Sequence, residues 1–346
     1  MVLCSHQLVL GGRAEIHPFG LMTLGTLGVL IFFSVSGYLI AQSWSADPHV
    51  LRFAAKRFLR VWPGLAVVTL VAVFIVGPAA TSLSQDAYFG SPMTWSYLEQ
   101  LLLHIQFYLP GVFQKNMNPV VNGSLWTIPI EVRWYGILLL AGILGLFHRR
   151  RQYLLLALVS AYAIYIFGIF DVQHNPKANF PLPDFGCEYG CYFSYGAALY
   201  CFQTFWRPRI LVIMCLLALF AVLLVAINHA GAAVYVLLPF LVIWFGSSST
   251  PVLRRSGRYG DFSFGIYIYA YMMQQWLIAV IGFNHSYGLE LLASVACTLG
   301  CAILSWHLAE LPAMRLKRQL GRISGDRLRA ITSMDAPASC PDTMER

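Results

Sequence analysis

Charged side chains are scarce in this chain. Asp, Glu, Lys and Arg make up only 11% of its 346 residues, whereas 58% are hydrophobic and the mean hydropathy is +0.65. Soluble domains are about half apolar and about a quarter charged, so this composition excludes a soluble enzyme. Disorder is excluded as well, because disordered chains are poor in aromatic residues and 14% of this chain is aromatic. The composition predicts an integral membrane protein.

Other sequence signals are weak or missing. The first residues lack the basic segment and the small-residue cleavage site of a secretory signal peptide. The eight cysteines lie mostly inside apolar runs, and pairs four apart, such as Cys187 and Cys191, lack the ligand neighbours of a zinc site. We therefore predict neither a disulfide framework nor a bound metal. The net charge of +8 is divided among short clusters instead of forming one stripe, so nucleic acid is not a predicted partner.

Long apolar runs are abundant. A membrane-crossing helix needs about 20 mostly apolar residues. The candidate runs cover residues 21–42, 62–76, 124–147, 153–170, 186–205, 210–227, 232–246, 262–281 and 289–308. With an incomplete run at 1–10, the sequence predicts an all-α, polytopic integral membrane bundle of about ten transmembrane helices. The first helix is expected to be truncated, because ten residues extend roughly 15 Å across a hydrocarbon core about 30 Å thick.

The basic residues predict the topology. Most of the 23 Lys and Arg residues fall in alternate connections and in the tail, whereas Arg13, Lys115 and Lys177 fall on the other side. Cytoplasmic loops are the basic ones, so both termini are predicted to be cytoplasmic. Residues 77–123 and 171–185 are predicted external connections, and the segment 97–109 is too short to cross. Residues 1–312 are the predicted membrane domain, and residues 313–346 a basic, then polar, cytoplasmic tail.

Ionisable groups at membrane depth cost a few kcal/mol each and mark candidate functional positions. The candidates are His6, Glu131, Arg133, Asp261, His307 and Glu310. The last three lie near span ends, where an interfacial position is equally compatible with the sequence. Glu131 and Arg133 are two residues apart, about 200° around a helix, so each needs a partner elsewhere. A lone histidine such as His6 is more often structural than catalytic.

Arg57 and Arg60 form a separate candidate site. Their spacing of three places both guanidinium groups on one face at the start of a predicted span. Two planar guanidinium groups side by side can donate several hydrogen bonds to a phosphate or diphosphate group. A positive-inside cluster that contacts lipid headgroups has the same spacing, so the sequence alone leaves both readings open.

Several segments together resemble the acyltransferase-3 family of bacterial multi-span acyltransferases. They occur in family order across nearly the whole chain. The segments are Cys4-Ser5-His6, residues 28–40 (GVLIFFSVSGYLI), Arg57-Phe-Leu-Arg60 with Trp62-Pro63, residues 122–131 (NGSLWTIPIE), residues 260–269 (GDFSFGIYIY) with Gln274-Gln275, and Glu310-Leu-Pro312. No single segment is specific, but the ordered set is. One departure is Ala270, which stands where many members have a histidine.

The resemblance implies roles for individual residues. His6 corresponds to the essential histidine of the first span, which we take as the general base. Arg57 and Arg60 correspond to the residues that hold the phosphates of acyl-CoA. Glu131 is assigned to the catalytic group, either to orient the imidazole or to hydrogen-bond the sugar. The implied cavity lining consists of Ser124, Trp126, Tyr267, Tyr269 and Gln275.

The function expected from this resemblance is membrane O-acyl transfer in the bacterial inner membrane. The donor would be acetyl-CoA or another acyl-CoA, with no bound cofactor. The acceptor would be a hydroxyl of a cell-surface glycan, such as an O-antigen polysaccharide, or its lipid-linked precursor. Two other classes stay open from the residues alone. These are a secondary transporter of an anionic solute and a non-catalytic membrane component of polysaccharide assembly.

Overall fold

The computed structural model describes residues 1–169, 186–248, 261–282 and 286–315. Within these ranges ten helices match the ten predicted spans in order. They are α1 (Val2–Leu10), α2 (Leu24–Ala46), α3 (Val50–Ala80), α4 (Thr127–Ile143), α5 (Gln152–Ile164), α6 (Cys187–Cys201), α7 (Gln203–Ala226), α8 (Ala230–Ser247), α9 (Ser263–Ile281) and α10 (Tyr287–Arg315). The described chain contains no β-strand, only one isolated bridge between Thr81 and Val112. The predicted all-α membrane fold is confirmed.

The helices differ in length. Among the described residues, six helices (α2, α3 and α7 to α10) are long and apolar enough to cross a membrane. The other four are shorter, from nine residues in α1 to 17 in α4. The chain is therefore a multi-pass membrane protein, although several predicted spans are shorter than the sequence suggests.

The short α4 has a physical explanation, because the chain enters it from inside the bundle. Asn122 Nδ2 donates to the carbonyl oxygen of Ile268 on α9 at 2.8 Å. Further along α9, Gln275 Nε2 donates to the carbonyl oxygens of Asn118 and Val120 at 2.5 and 2.6 Å. Irregular backbone is tolerated at membrane depth only where protein surrounds it and satisfies its polar groups. These bonds hold the segment before α4 against α9, so the helix starts at mid-bundle.

Close packing joins α2 to α6. Gly37 of α2 touches the backbone of Phe193, and Gly196 of α6 touches the backbone of Ser34, so that a Cβ atom at either glycine would overlap main-chain atoms. Small residues at such crossings allow helices to approach closely in a membrane. Of the long helices, α9 is the most enclosed and α7 the least. The core therefore centres on α9, and α7 lies at the periphery.

Polar bonds hold the short α1 against α9 and α10. The Gln7 side-chain oxygen accepts from Gln274 Nε2 at 3.0 Å and from Ser294 Oγ at 2.8 Å. Beyond α1, Arg13 pairs with Glu290 of α10 at 2.6 Å. The two Gln7 bonds fix the helix that carries His6.

The turn from α2 to α3 is held by charge pairs. Arg52 and Lys56, on the first turns of α3, both approach the Asp47 carboxylate, with shortest N–O distances of 2.5 Å. Hydrogen bonding from Arg52 lowers the pKa of Asp47 to about 2. We call this end of the bundle, where α2 ends and α3 begins, the basic end.

The predicted external connection 77–123 contains two short helices, Gln85–Gly90 and Pro92–Ser96, and a 3₁₀ turn, Tyr97–Leu102. Trp62 Nε1 of α3 donates to the carbonyl oxygen of Leu101 at 3.1 Å, so this turn lies against α3 and does not cross. The predicted connection 171–185, most of the tail, and Arg254, Arg255 and Arg258 lie outside the described residues.

Candidate active site

A cavity of about 190 Å³ lies where five helices meet. Val2 of α1 and Gly28, Val29 and Phe32 of α2 form part of its wall. The polar part of its lining consists of Arg60 of α3, Glu131 of α4, and Ser263 and Tyr267 of α9. A mostly apolar cavity with a few convergent polar groups is the usual form of a small-molecule site.

Glu131 lies among the arginines and not beside His6. Its carboxylate accepts a hydrogen bond from Tyr135 Oη, one turn further along α4, and has Ser36 of α2 within reach. Arg57 and Arg60 both lie close enough to interact electrostatically with it. In the described part of the chain no interaction joins Glu131 to the imidazole. The expected role of Glu131 in orienting His6 therefore has no support in the geometry.

Arg57 is the more enclosed of the two arginines. Its Nη2 atom donates to Ser43 Oγ at 3.2 Å, and its guanidinium lies over the rings of Phe53 and Tyr135, 5.7 and 5.8 Å from the centroids. Its Nε atom is buried without a partner among the described residues. A buried donor without a partner is costly and is well suited to receive an anionic ligand.

Arg60 points in another direction. Its Nη2 atom lies 2.8 Å from the carboxylate of Asp261, just before α9, and its guanidinium lies 5.4 Å from the ring centroid of Phe264. Asp261 is about half exposed. A phosphate that binds Arg60 would therefore take the place of an accessible carboxylate at the mouth of the cavity.

His6 lies one turn beyond the cavity. Val2 lines the cavity, and residues four apart share a helix face, so His6 follows on the same face about 6 Å further along the axis. Its ring packs edge-to-face on Tyr271, with 5.0 Å between centroids, and its Nδ1 atom is buried without a partner in the described structure.

Of the five predicted lining residues, Tyr267 lines this cavity, whereas Ser124, Trp126, Tyr269 and Gln275 are not in its lining. Tyr267 lines the cavity and shares a 2.7 Å hydrogen bond with Thr127 Oγ1, and Ser124 Oγ is buried without a partner among the described residues. Tyr269 follows Tyr267 by two residues on α9, and it faces the side of that helix where Ser305 is within hydrogen-bonding reach. Trp126 packs on Tyr189. Gln275 bonds to the segment before α4. These last three residues make their contacts outside the cavity lining.

Sequence reasoning missed three neighbours of the site. Tyr135 lies four residues after Glu131, and that helical spacing could have identified it. Tyr271 and Glu15, which accepts a hydrogen bond from Ser5 of α1, could not be identified in this way because they come from separate segments. Only the fold brings them to the histidine.

Comparison with known proteins decides the family. The acyltransferase domain of the acyltransferase-3 family matches residues 1–308. The chain belongs to the acyltransferase-3 family. This acyltransferase is accordingly a membrane enzyme that transfers acyl groups, as the motifs predict, and the transporter and non-catalytic alternatives are set aside.

Named relatives agree with this family. The acyltransferase is 28% identical over 320 residues to an O-acetyl transferase of Shigella phage Sf6, covering 90% of this chain and 91% of the relative. It is 29% identical over 321 residues to Nodulation protein 10 of Rhizobium leguminosarum bv. viciae, covering 85% and 83%. A shorter match, 29% over 124 residues, joins it to Acyltransferase MdmB of Streptomyces mycarofaciens, covering 36% and 29%. No solved structure matches it significantly.

Proposed function

We propose that this acyltransferase moves an acetyl or other short acyl group from acyl-CoA to a hydroxyl of a cell-surface glycan or its lipid-linked precursor. We place it in the bacterial inner membrane with both termini in the cytoplasm. One observation carries the proposal: the cavity is lined by Arg60 of α3 and by Val2 of α1, and His6 follows Val2 one helical turn further along α1. The phage relative, named an O-acetyl transferase, supports acetyl as the group transferred.

The donor would bind at the basic end. Arg57 and Arg60 would hold its phosphates, since guanidinium forks suit phosphate oxygens. Glu131, Tyr135 and Ser43 contact or face these arginines and would keep them in place. The acyl arm would then extend through the mostly apolar cavity toward α1, which brings the thioester to His6.

The chemistry is acyl transfer by general base catalysis. A nitrogen of His6 takes the proton of the acceptor hydroxyl while that oxygen bonds to the thioester carbonyl carbon. The carbon–sulfur bond then breaks, an ester remains on the acceptor, and the CoA thiolate leaves with the proton from the imidazolium. The atoms balance without a metal or redox partner.

The test uses membranes that contain the full chain, radiolabelled acetyl-CoA and glycan-bearing membranes of the host. We expect label in the glycan fraction with the wild-type protein. The His6→Gln variant keeps much of the side-chain volume but loses the basic nitrogen, so transfer should fall by about 10² to 10⁴ at equal membrane abundance.

Two results would contradict the proposal. If wild-type membranes leave the glycan unlabelled, the donor or the acceptor class is wrong. If the glutamine variant labels the glycan as fast as wild type, His6 is not the base. His229→Gln is the matched control, because His229 lies at the start of α8 and outside the cavity lining.

A further inference from the structure

Glu15 lies beside α1, in the connection that leads to α2. Its carboxylate accepts a hydrogen bond from Ser5 Oγ, and Ser5 directly precedes His6. Among the described residues, Glu15 is the one carboxylate found to interact electrostatically with the His6 imidazole. The connection therefore turns back on the helix and places a negative charge at the histidine.

The His6 imidazole has one nitrogen that could form a hydrogen bond with a carboxylate. Its Nδ1 atom is buried and has no hydrogen-bond partner in the described part of the chain. Tyr271 covers the ring edge-on and offers no bond to this nitrogen. A buried polar atom without a partner costs free energy, so a group that approaches it during the reaction would stabilise that state.

Glu15 can serve this nitrogen without leaving Ser5. Ser5 uses the oxygen Oε1, and an ionised carboxylate accepts hydrogen bonds on both of its oxygens. Gly25 of α2 leaves room here, because a Cβ atom on it would lie 2.9 Å from Ser5 Oγ. The packing of α1 on α2 thus holds Ser5, and Ser5 holds the carboxylate.

We propose that Glu15 is the positioning residue for His6. It accepts the Nδ1–H hydrogen bond, which leaves Nε2 as the basic nitrogen, and it stabilises the imidazolium that forms in the reaction. This inference rests on the proposed function.

The proton path follows from this assignment. Nε2 takes the proton of the acceptor hydroxyl as the oxygen–carbon bond forms, and the imidazolium then carries a proton on each nitrogen. The thiolate receives the Nε2 proton as the carbon–sulfur bond breaks. Glu15 only accepts the Nδ1–H hydrogen bond and takes no proton from the imidazolium.

The first test compares Glu15→Gln with Glu15→Asp, using acetyl-CoA as donor. In Glu15→Gln the side-chain amide keeps the shape of the carboxylate but loses its charge. We therefore expect kcat to fall while KM for acetyl-CoA stays unchanged. The expected fall is about tenfold to a hundredfold, smaller than the loss of about 10⁴ for a fully buried triad carboxylate, because Glu15 is partly exposed. The aspartate variant should recover part of the rate.

A matched control is available at the same end of the bundle. Glu290→Gln removes a nearby carboxylate that pairs with Arg13, 2.6 Å away. We expect this variant to keep the wild-type kcat. An equal loss in the Glu15 and Glu290 variants, or a loss confined to membrane abundance, would reduce Glu15 to a structural role.

The second test needs no substrate. Diethyl pyrocarbonate modifies neutral imidazole, so the pH dependence of His6 modification, followed by peptide mass spectrometry, reports its titration. Loss of the Glu15 charge should move the midpoint to lower pH in Glu15→Gln only. Identical midpoints in wild type and Glu15→Gln would overturn the inference even if the donor is not acyl-CoA. Unlabelled glycan with a shifted midpoint would overturn only the proposed function.

Discussion

Arg57 and Arg60 show how helical spacing and tertiary contacts differ at the scale of single residues. A spacing of three predicts that they share a helix face. In the structure Arg57 turns to Ser43, whereas Arg60 turns to Asp261, and Glu131 lies near both. The two guanidinium groups therefore have different partners, and only that of Arg60 belongs to the lining of this cavity.

The double variant Arg57→Lys with Arg60→Lys separates phosphate binding from topology. Lysine keeps the positive charge that orients the helix but lacks the planar donor pair. We expect normal insertion and a rise in KM for acyl-CoA of about tenfold or more, equivalent to losing a charge-assisted hydrogen bond. Steady-state kinetics in solubilised membranes measures this KM.

The control for this variant is Arg207→Lys with Arg209→Lys. These two arginines lie near the start of α7, outside the cavity lining. Their replacement should leave KM at the wild-type value. An unchanged KM in the Arg57 and Arg60 variant would mean that the pair acts only on topology or lipid headgroups.

At the scale of elements, the α2–α6 crossing depends on two glycines. A side chain at Gly37 would overlap the backbone of Phe193, which cannot move aside as a flexible side chain can. We expect Gly37→Leu to destabilise the detergent-solubilised protein by at least about 1–3 kcal/mol, the usual cost of overpacking. Thermal unfolding, monitored by size-exclusion chromatography after heating, checks this value.

Gly300→Leu is the matched control for this substitution. Gly300 lies on α10 with open space where its Cβ would be. The variant should unfold near the wild-type temperature. If both leucine variants behave alike, α2 and α6 do not cross as closely as the structure shows.

At the scale of the whole molecule, the basic end predicts orientation. Asp47, Arg52 and Lys56 lie there with Arg57 and Arg60, and cytoplasmic faces of membrane proteins are rich in Lys and Arg. We expect a fluorescent protein fused after Arg346 to fluoresce in the cytoplasm. Alkaline phosphatase inserted after Ser91 should be active, since that enzyme folds only outside the cytoplasm. The reverse pattern at both positions would invert the topology and move acyl-CoA to the wrong end of the cavity.

The class of fold and the order of its helices follow from the amino-acid sequence alone. Apolar runs report membrane spans because the bilayer selects length and hydrophobicity, which are local properties. The family motifs likewise predicted functional roles for His6, Arg57, Arg60, Glu131 and Tyr267.

Which of these residues meet depends on the tertiary structure. Glu131 faces the arginines, Tyr269 lies on the far side of α9, and Glu15 reaches the histidine. The start of α4 at Thr127 was also set by tertiary contacts, because Gln275 satisfies irregular backbone before the helix that an apolar run does not reveal. Contacts between distant segments depend on how helices rotate and cross, and helix packing sets both. A hydropathy pattern does not predict how the helices rotate or where they cross.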